Sequence, residues 1–178
     1  IVSINVSCTH IHTGIDSQGV WTDHVGCIFN NMFSKITRNV RYGVERSFID
    51  SLVSGSKKAV EDALEDMTEG KLYYSEINGE NYVYDRTAPI SLNPNIYKLE
   101  FLPADAEKTP TIIATFGCHP ESASYDWASA DPEKTLSFDK KFSPDFIWSA
   151  EMVMNDAGYN FIFLQGNVST VTSARYNT

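Results

Sequence analysis

Two continuous apolar runs with one well-marked helix between them constrain the fold of this chain more than any other feature. The runs are TPTIIATFG (Thr109 to Gly117) and YNFIFLQG (Tyr159 to Gly166). Strands covered on both faces read as unbroken apolar sequence, so both runs predict buried strands. Between them, Ser143 supplies a capping hydroxyl, Pro144 suits a first helical position, and Gly158 after Asn155-Asp156-Ala157 marks a stop. Phe146, Ile147, Ala150, Val153 and Met154 are expected to form the buried face of that helix. Strand, helix, strand in that order is the arrangement of a parallel crossover, whose helix packs back on the sheet. The expected fold is therefore α/β, a layered sandwich with a mixed, partly parallel sheet.

Further elements fit the same plan. NIYKLEFLP (Asn95 to Pro103) alternates as a strand does, and KLYYSEI and NYVYDRT flank Asn78-Gly79 as the two arms of a hairpin would. Val44, Phe48, Leu52, Val60, Ala63, Leu64 and Met67 fall at helical spacing, with Gly70 as the expected stop. Residues 15–41 read as a long irregular or partly helical connection. From Ile1 to His12 the even positions are Val2, Ile4, Val6, Cys8, His10 and His12, so a strand is expected with both histidines on its inward face. Ile1 opens inside this apolar run without an initiator Met, and residues 1–178 are expected to form a single partial domain.

Composition excludes several functions. Fourteen Lys and Arg against twenty-three Asp and Glu give a net charge of -9, which repels a phosphate backbone, so nucleic acid is not an expected partner. No apolar stretch reaches the ~20 residues of a spanning helix, leaving peripheral contact as the expected limit of any lipid encounter. Cys8, Cys27 and Cys118 form no even set and no CxxC pair, so neither a disulfide framework nor a thiolate zinc finger is indicated. The absence of GxGxxG, P-loop and GxSxG patterns weighs against nucleotide binding and an α/β-hydrolase serine site.

Reactive residues collect where strands are expected to end: Cys8-Thr9-His10-Ile11-His12, Gly117-Cys118-His119-Pro120, and Gln165-Gly166-Asn167. Parallel sheets bind ligands outside the carboxyl ends of their strands, so three of the four histidines are expected on one rim. A single histidine there is ordinarily an interior residue hydrogen-bonded to backbone; three together suit a zinc site, which takes imidazole ligands. His24 reads as a surface or loop residue, and Asp16 and Asp23 as solvated loop acids or outer partners. Glu121 and Asp145 are better-placed carboxylates, with supporting or capping roles expected. Arg86 is a candidate clamp for an oxyanion or half of an Asp85-Arg86 surface pair. Ser169, Thr170, Thr172 and Ser173 offer hydroxyls that spacing alone does not rank.

The order of these pieces resembles the neutral/alkaline, non-lysosomal ceramidase family, zinc amidohydrolases that cleave the N-acyl bond of ceramide. Thr9-His10-Ile11-His12-Thr13-Gly14 resembles that family's T-H-T-H-S-G, and Asp85-Arg86-Thr87 with Asn93-Pro94 resembles its N-R-S and N-P. Gly117-Cys118-His119-Pro120 matches V-H-G-T at the histidine, Ser143-Pro144-Asp145 resembles S-G-D, and Gln165 to Ser173 echoes Q-x-N-x-G-D-x-S-P. The resemblance implies that His10 and His119 are zinc ligands, that His12 sits beside the metal and touches substrate, and that Arg86 helps hold the substrate's polar head. Thr172 stands where the family has its serine nucleophile, and Ser169-Thr170 and Ser173 replace the residues that frame it. The family's remaining ligands, a glutamate and a tyrosine, lie beyond this stretch.

The same resemblance implies zinc-dependent hydrolysis of an N-acyl amide, with a ceramide-like lipid or another small molecule as substrate and a secreted or cell-surface location. Two alternatives stand beside it: a ceramidase-like domain that binds ligand without turnover, and a metallohydrolase of small polar esters or amides.

Overall fold

The structure, a computed structural model, describes residues 5–12, 14–19, 23–33, 43–121, 143–168 and 171–173. The expectations placed on Val2, Ile4, Thr13, Ser169 and Thr170 lie outside these residues. In chain order the elements are α1 (His24–Met32), α2 (Arg46–Glu65), β1 (Gly70–Asn78), a 3-10 turn (Glu80–Tyr82), β2 (Val83–Asp85), β3 (Asn95–Pro103), β4 (Thr111–Phe116), α3 (Phe146–Asp156), β5 (Asn160–Gln165) and β6 (Val171–Ser173). The chain divides into two compact units, Ile15–Met67 and Ile1–Gly14 with Thr68–Thr178.

The described elements of the smaller unit are the helices α1 and α2. Asp23 caps α1 by accepting from Gly26 N at 2.8 Å, and the Asp16 carboxylate accepts from Gln18 N and Gly19 N, so both loop acids close turns. His24 opens α1 and is exposed, as expected. α2 carries ion pairs one turn apart, Arg46–Asp50 at 3.1 Å and Lys58–Asp62 at 2.8 Å, each worth a few tenths of a kcal/mol. It ends at Glu65, and Gly70, expected to stop it, instead begins β1.

The larger unit holds a four-stranded sheet in the order β1-β3-β4-β5. β1 to β3 and β3 to β4 are antiparallel, while β4 and β5 are parallel with Thr111 opposite Asn160 and Phe116 opposite Gln165. The expected α/β class with a mixed sheet is thus observed, and the crossover helix α3 joins the parallel pair. Asp145, not Ser143, caps α3: Phe146 N donates to Asp145 Oδ1 at 2.8 Å, and Ser143 Oγ accepts from Asp145 N at 3.0 Å. Pro144 therefore precedes the cap instead of opening the helix. At the other end Gly158 takes a positive φ of 85°, and Tyr159 N to Met154 O with Gly158 N to Asn155 O completes a Schellman motif. Ile147 is buried and Phe146 meets Phe163 edge-on at 5.8 Å, but Val153 is exposed, contrary to the expected face.

The expected Asn78-Gly79 hairpin is not formed. Its tight turn needs positive φ at the central residues, and Gly79 sits at -104°. Gly79 N instead donates to Pro94 O at 3.0 Å, continuing the β1–β3 ladder, while the intervening chain loops out. Within that loop β2 joins β6 in a separate antiparallel pair, with Tyr84 opposite Thr172. The buried cluster Val83, Phe116, Cys118 and Val171 ties this pair to the end of β4, with Leu92, Ile96, Phe146 and Phe163 packed against it.

Residues 5–12 form no strand. His10 has a φ of 59°, in the left-handed region, and one such residue breaks the face-to-face alternation on which the expectation rested. Val6 is 86% exposed, and His10 and His12 are exposed instead of turned into a core.

Candidate metal centre

His119 is built in by the residues just past β4. Its backbone N donates to Val171 O at 3.1 Å and it bridges in parallel to Thr172, so β6 holds it in place. Its ring Nδ1 lies 2.8 Å from the same Val171 carbonyl. A carbonyl only accepts, so Nδ1 carries the proton and the lone pair is left on Nε2, the form a metal ligand needs.

Pro120 follows inside a three-residue turn closed by Glu121 N to His119 O at 3.0 Å. Proline's fixed φ of about -65° suits the inverse form of this turn and excludes the other. The turn delivers His119 and Glu121 to one place. Pro120 O also accepts from His12 N at 3.4 Å, bringing the 5–12 segment alongside.

There the three imidazoles meet. Ring centroids are 5.2 Å apart for His10 and His12, 5.0 Å for His10 and His119, and 5.3 Å for His12 and His119. One nitrogen of each lies within 4.8 Å of the others, so the three form a donor set able to hold a metal ion. Burial and the neighbouring His119 and His12 lower the pKa of His10 from its ordinary value of 6.5, partly opposed by Glu121. Its imidazole is therefore favoured as the neutral, ligating form. Three nitrogen donors match the protein-ligand count of catalytic zinc sites.

Glu121 gathers the other candidates. It is 7% exposed, and its Oε1 accepts from Thr172 Oγ1 at 2.8 Å and pairs with Arg86 Nη1 at 3.3 Å. Its Oε2 lies 3.6 Å from His12 Nδ1. Arg86 is thus engaged across the site and not in a simple pair with Asp85, whose carboxylate accepts from Thr87 N and Ser91 N. Thr172 is 1% exposed, with its hydroxyl committed to the carboxylate. The five residues His10, His12, Arg86, His119 and Thr172 therefore lie in one connected group, and the acid that connects them carries no local sequence signal beyond its place two residues after a histidine.

Gln165 Nε2 donates to Phe116 O at 3.1 Å and Cys118 O at 3.0 Å, binding the exits of β4 and β5 together. Burial, with the Asp145 and Glu121 charges, pushes the Cys118 thiol up to about 12, so it stays protonated at neutral pH.

No protein-family model matches this chain, and no curated protein matches it in sequence. Its fold is similar to the crystal structure of neutral ceramidase from Pseudomonas aeruginosa, with a TM-score of 0.56 and 18% identity over 75% of this chain. The chain spans 22% of the length of that enzyme, and at this identity the likeness is one of fold: the chain has a ceramidase-like fold with a histidine cluster able to hold a metal.

Proposed function

We propose that this chain carries the histidine half of a zinc-dependent amidohydrolase site that cleaves the N-acyl bond of a ceramide-like lipid. The observation that carries the reading is the donor set of His10, His12 and His119, within 4.8 Å of one another. The chemistry of the set fits zinc, since His119 already has its proton on Nδ1 and His10 is biased toward the neutral form. The ceramidase-like fold supports the substrate class.

When bound, zinc supplies Lewis-acid polarisation of the scissile carbonyl. The chain's own residues supply the rest. His10 and His119 would hold the ion, with His12 in the same cluster, and Val171 O fixes the His119 tautomer. Glu121 compensates the Arg86 charge and keeps beside the cluster the guanidinium to which this reading gives the polar head of a substrate. Thr172 presents its proton to a carboxylate 2.8 Å away, the pairing a hydroxyl nucleophile requires.

The burial of Thr172 favours a second reading, a site that binds metal and ligand without turnover. One experiment separates the two. Metal content of the purified full-length protein is measured by mass spectrometry beside hydrolysis of a panel of N-acylsphingosines, with His10→Ala and His119→Ala as controls. Stoichiometric zinc, lost in both variants, with amide cleavage supports the hydrolase; zinc without cleavage supports the binding domain; no stoichiometric zinc in wild type refutes both.

A further inference from the structure

Among the described residues the buried charged or polar side chains are His119, Glu121, Asp145 and Thr172. Of these, Glu121 makes a pattern that neither the sheet nor the helix requires. A buried carboxylate costs several kcal/mol unless it is paired and hydrogen-bonded. Among the described residues its partners divide between the two oxygens: Thr172 Oγ1 and Arg86 Nη1 meet Oε1, while Oε2 is turned to His12 Nδ1 at 3.6 Å. The separation is that of a charge contact and exceeds a formed hydrogen bond. The backbone tie from His12 N to Pro120 O keeps the imidazole next to the residue that precedes the acid.

We propose that Glu121 is a positioning residue of the histidine cluster: its Oε2 is the acceptor that keeps the proton of His12 on Nδ1, leaving the lone pair on Nε2 of His12 for a metal ion. The inference rests on the reading of the cluster as a metal site. It gives His12 a looser counterpart of what the Val171 carbonyl gives His119, a charge 3.6 Å from one ring nitrogen in place of a hydrogen bond at 2.8 Å, and this decides which nitrogen ligates. Arg86 and Thr172 then act through Glu121, holding the carboxylate by its other oxygen. His12 stands in the donor set as a third ligand, not only as a neighbour.

The test uses the full-length protein, stripped of metal and titrated with Co2+ and, by chelator competition, with Zn2+. Glu121→Gln keeps the side-chain volume and an acceptor for Thr172 but removes the charge facing His12, and is expected to weaken metal binding about 10- to 100-fold. Glu121→Asp, which retains the charge, is expected to recover part of that loss and the wild-type visible absorption of bound Co2+. A folded Glu121→Gln protein that binds within about threefold of wild type overturns the inference while leaving the metal reading intact. Absence of Co2+ and Zn2+ binding by wild type overturns both. A measurement on the unsubstituted protein covers failure of the variants to fold. In metal-free protein labelled with 15N-histidine, with His12 assigned by loss of its signals in His12→Asn, the proton is expected on Nδ1 of His12. An Nε2 proton there overturns the inference.

Discussion

Thr172→Val tests whether the buried hydroxyl holds the site together. The substitution is nearly isosteric, so it removes one donor with little change in volume. The bond lost is 2.8 Å long, runs from a residue 1% exposed to a carboxylate 7% exposed, and has an ionised acceptor. Hydrogen bonds to charged groups contribute about 1.5–3 kcal/mol. Arg86 stays on the same oxygen at 3.3 Å, so the carboxylate is not orphaned and the lower half of that range is expected. For a chain of this size each kcal/mol moves the midpoint roughly 2–4 °C, so a fall of about 3–9 °C is expected. Urea unfolding at neutral pH is the assay, with Thr172→Ser, which keeps the hydroxyl and gives up a methyl, as the control. Thr172→Val unfolding within about 0.5 kcal/mol of wild type would refute the reasoning, because a surface-like value means the hydroxyl is not committed to Glu121. The pair also bears on chemistry: a nucleophilic hydroxyl predicts that the serine variant retains turnover and the valine variant has none.

Packing and burial lead to three more expected outcomes. A Cβ on Gly166 would stand 2.8 Å from Phe116 C and 2.9 Å from Gly117 N, all backbone, so Gly166→Ala is expected to destabilise by about 1–3 kcal/mol in thermal unfolding. Gly55→Ala, in α2 with nothing within 4 Å of the added methyl, is expected to stabilise by about 0.5–1 kcal/mol, and equal effects at the two sites would contradict the packing account. Cys8 is exposed and Cys118 is buried with its thiol pushed up to about 12, so at pH 8 a thiol reagent is expected to modify Cys8 quickly and Cys118 only on unfolding. Mass spectrometry showing rapid labelling of Cys118 in folded protein would count against its placement.

The legible part of the sequence was mostly local. β3 falls on the stretch read from its alternation, and β4, α3 and β5 come from two apolar runs and their punctuation. The fold departs from the local signal where a distant partner competes with it. Asn78-Gly79 is good turn chemistry, yet β1 found more ladder with β3 than a short hairpin with β2 could offer, and β2 was taken by β6. The alternation before His12 had no strand to pair with among the described residues, and alternation without a partner does not make a strand. His119 was visible as a residue at a strand end, whereas nothing near Arg86 or Thr172 announces that both will close on Glu121.

The site gains its order from the tripeptide His119-Pro120-Glu121 more than from any strand. β4 ends at Phe116, and the chain beyond it is held by three different elements: β6 through Val171 and Thr172, β5 through Gln165, and the 5–12 segment through His12 N. The proline-centred turn makes the angle between a metal-donor imidazole and a buried carboxylate a property of the backbone, set before any ligand arrives. His10 and His12 lack that backing: they sit on an exposed segment with a left-handed residue, tied to the tripeptide by one long hydrogen bond. Preorganisation is therefore unequal across the donor set, firm at His119 and dependent on Glu121 at His12. A bound ion would gain most of its geometric definition from the residues past β4 and would in turn order the segment that brings the other two histidines.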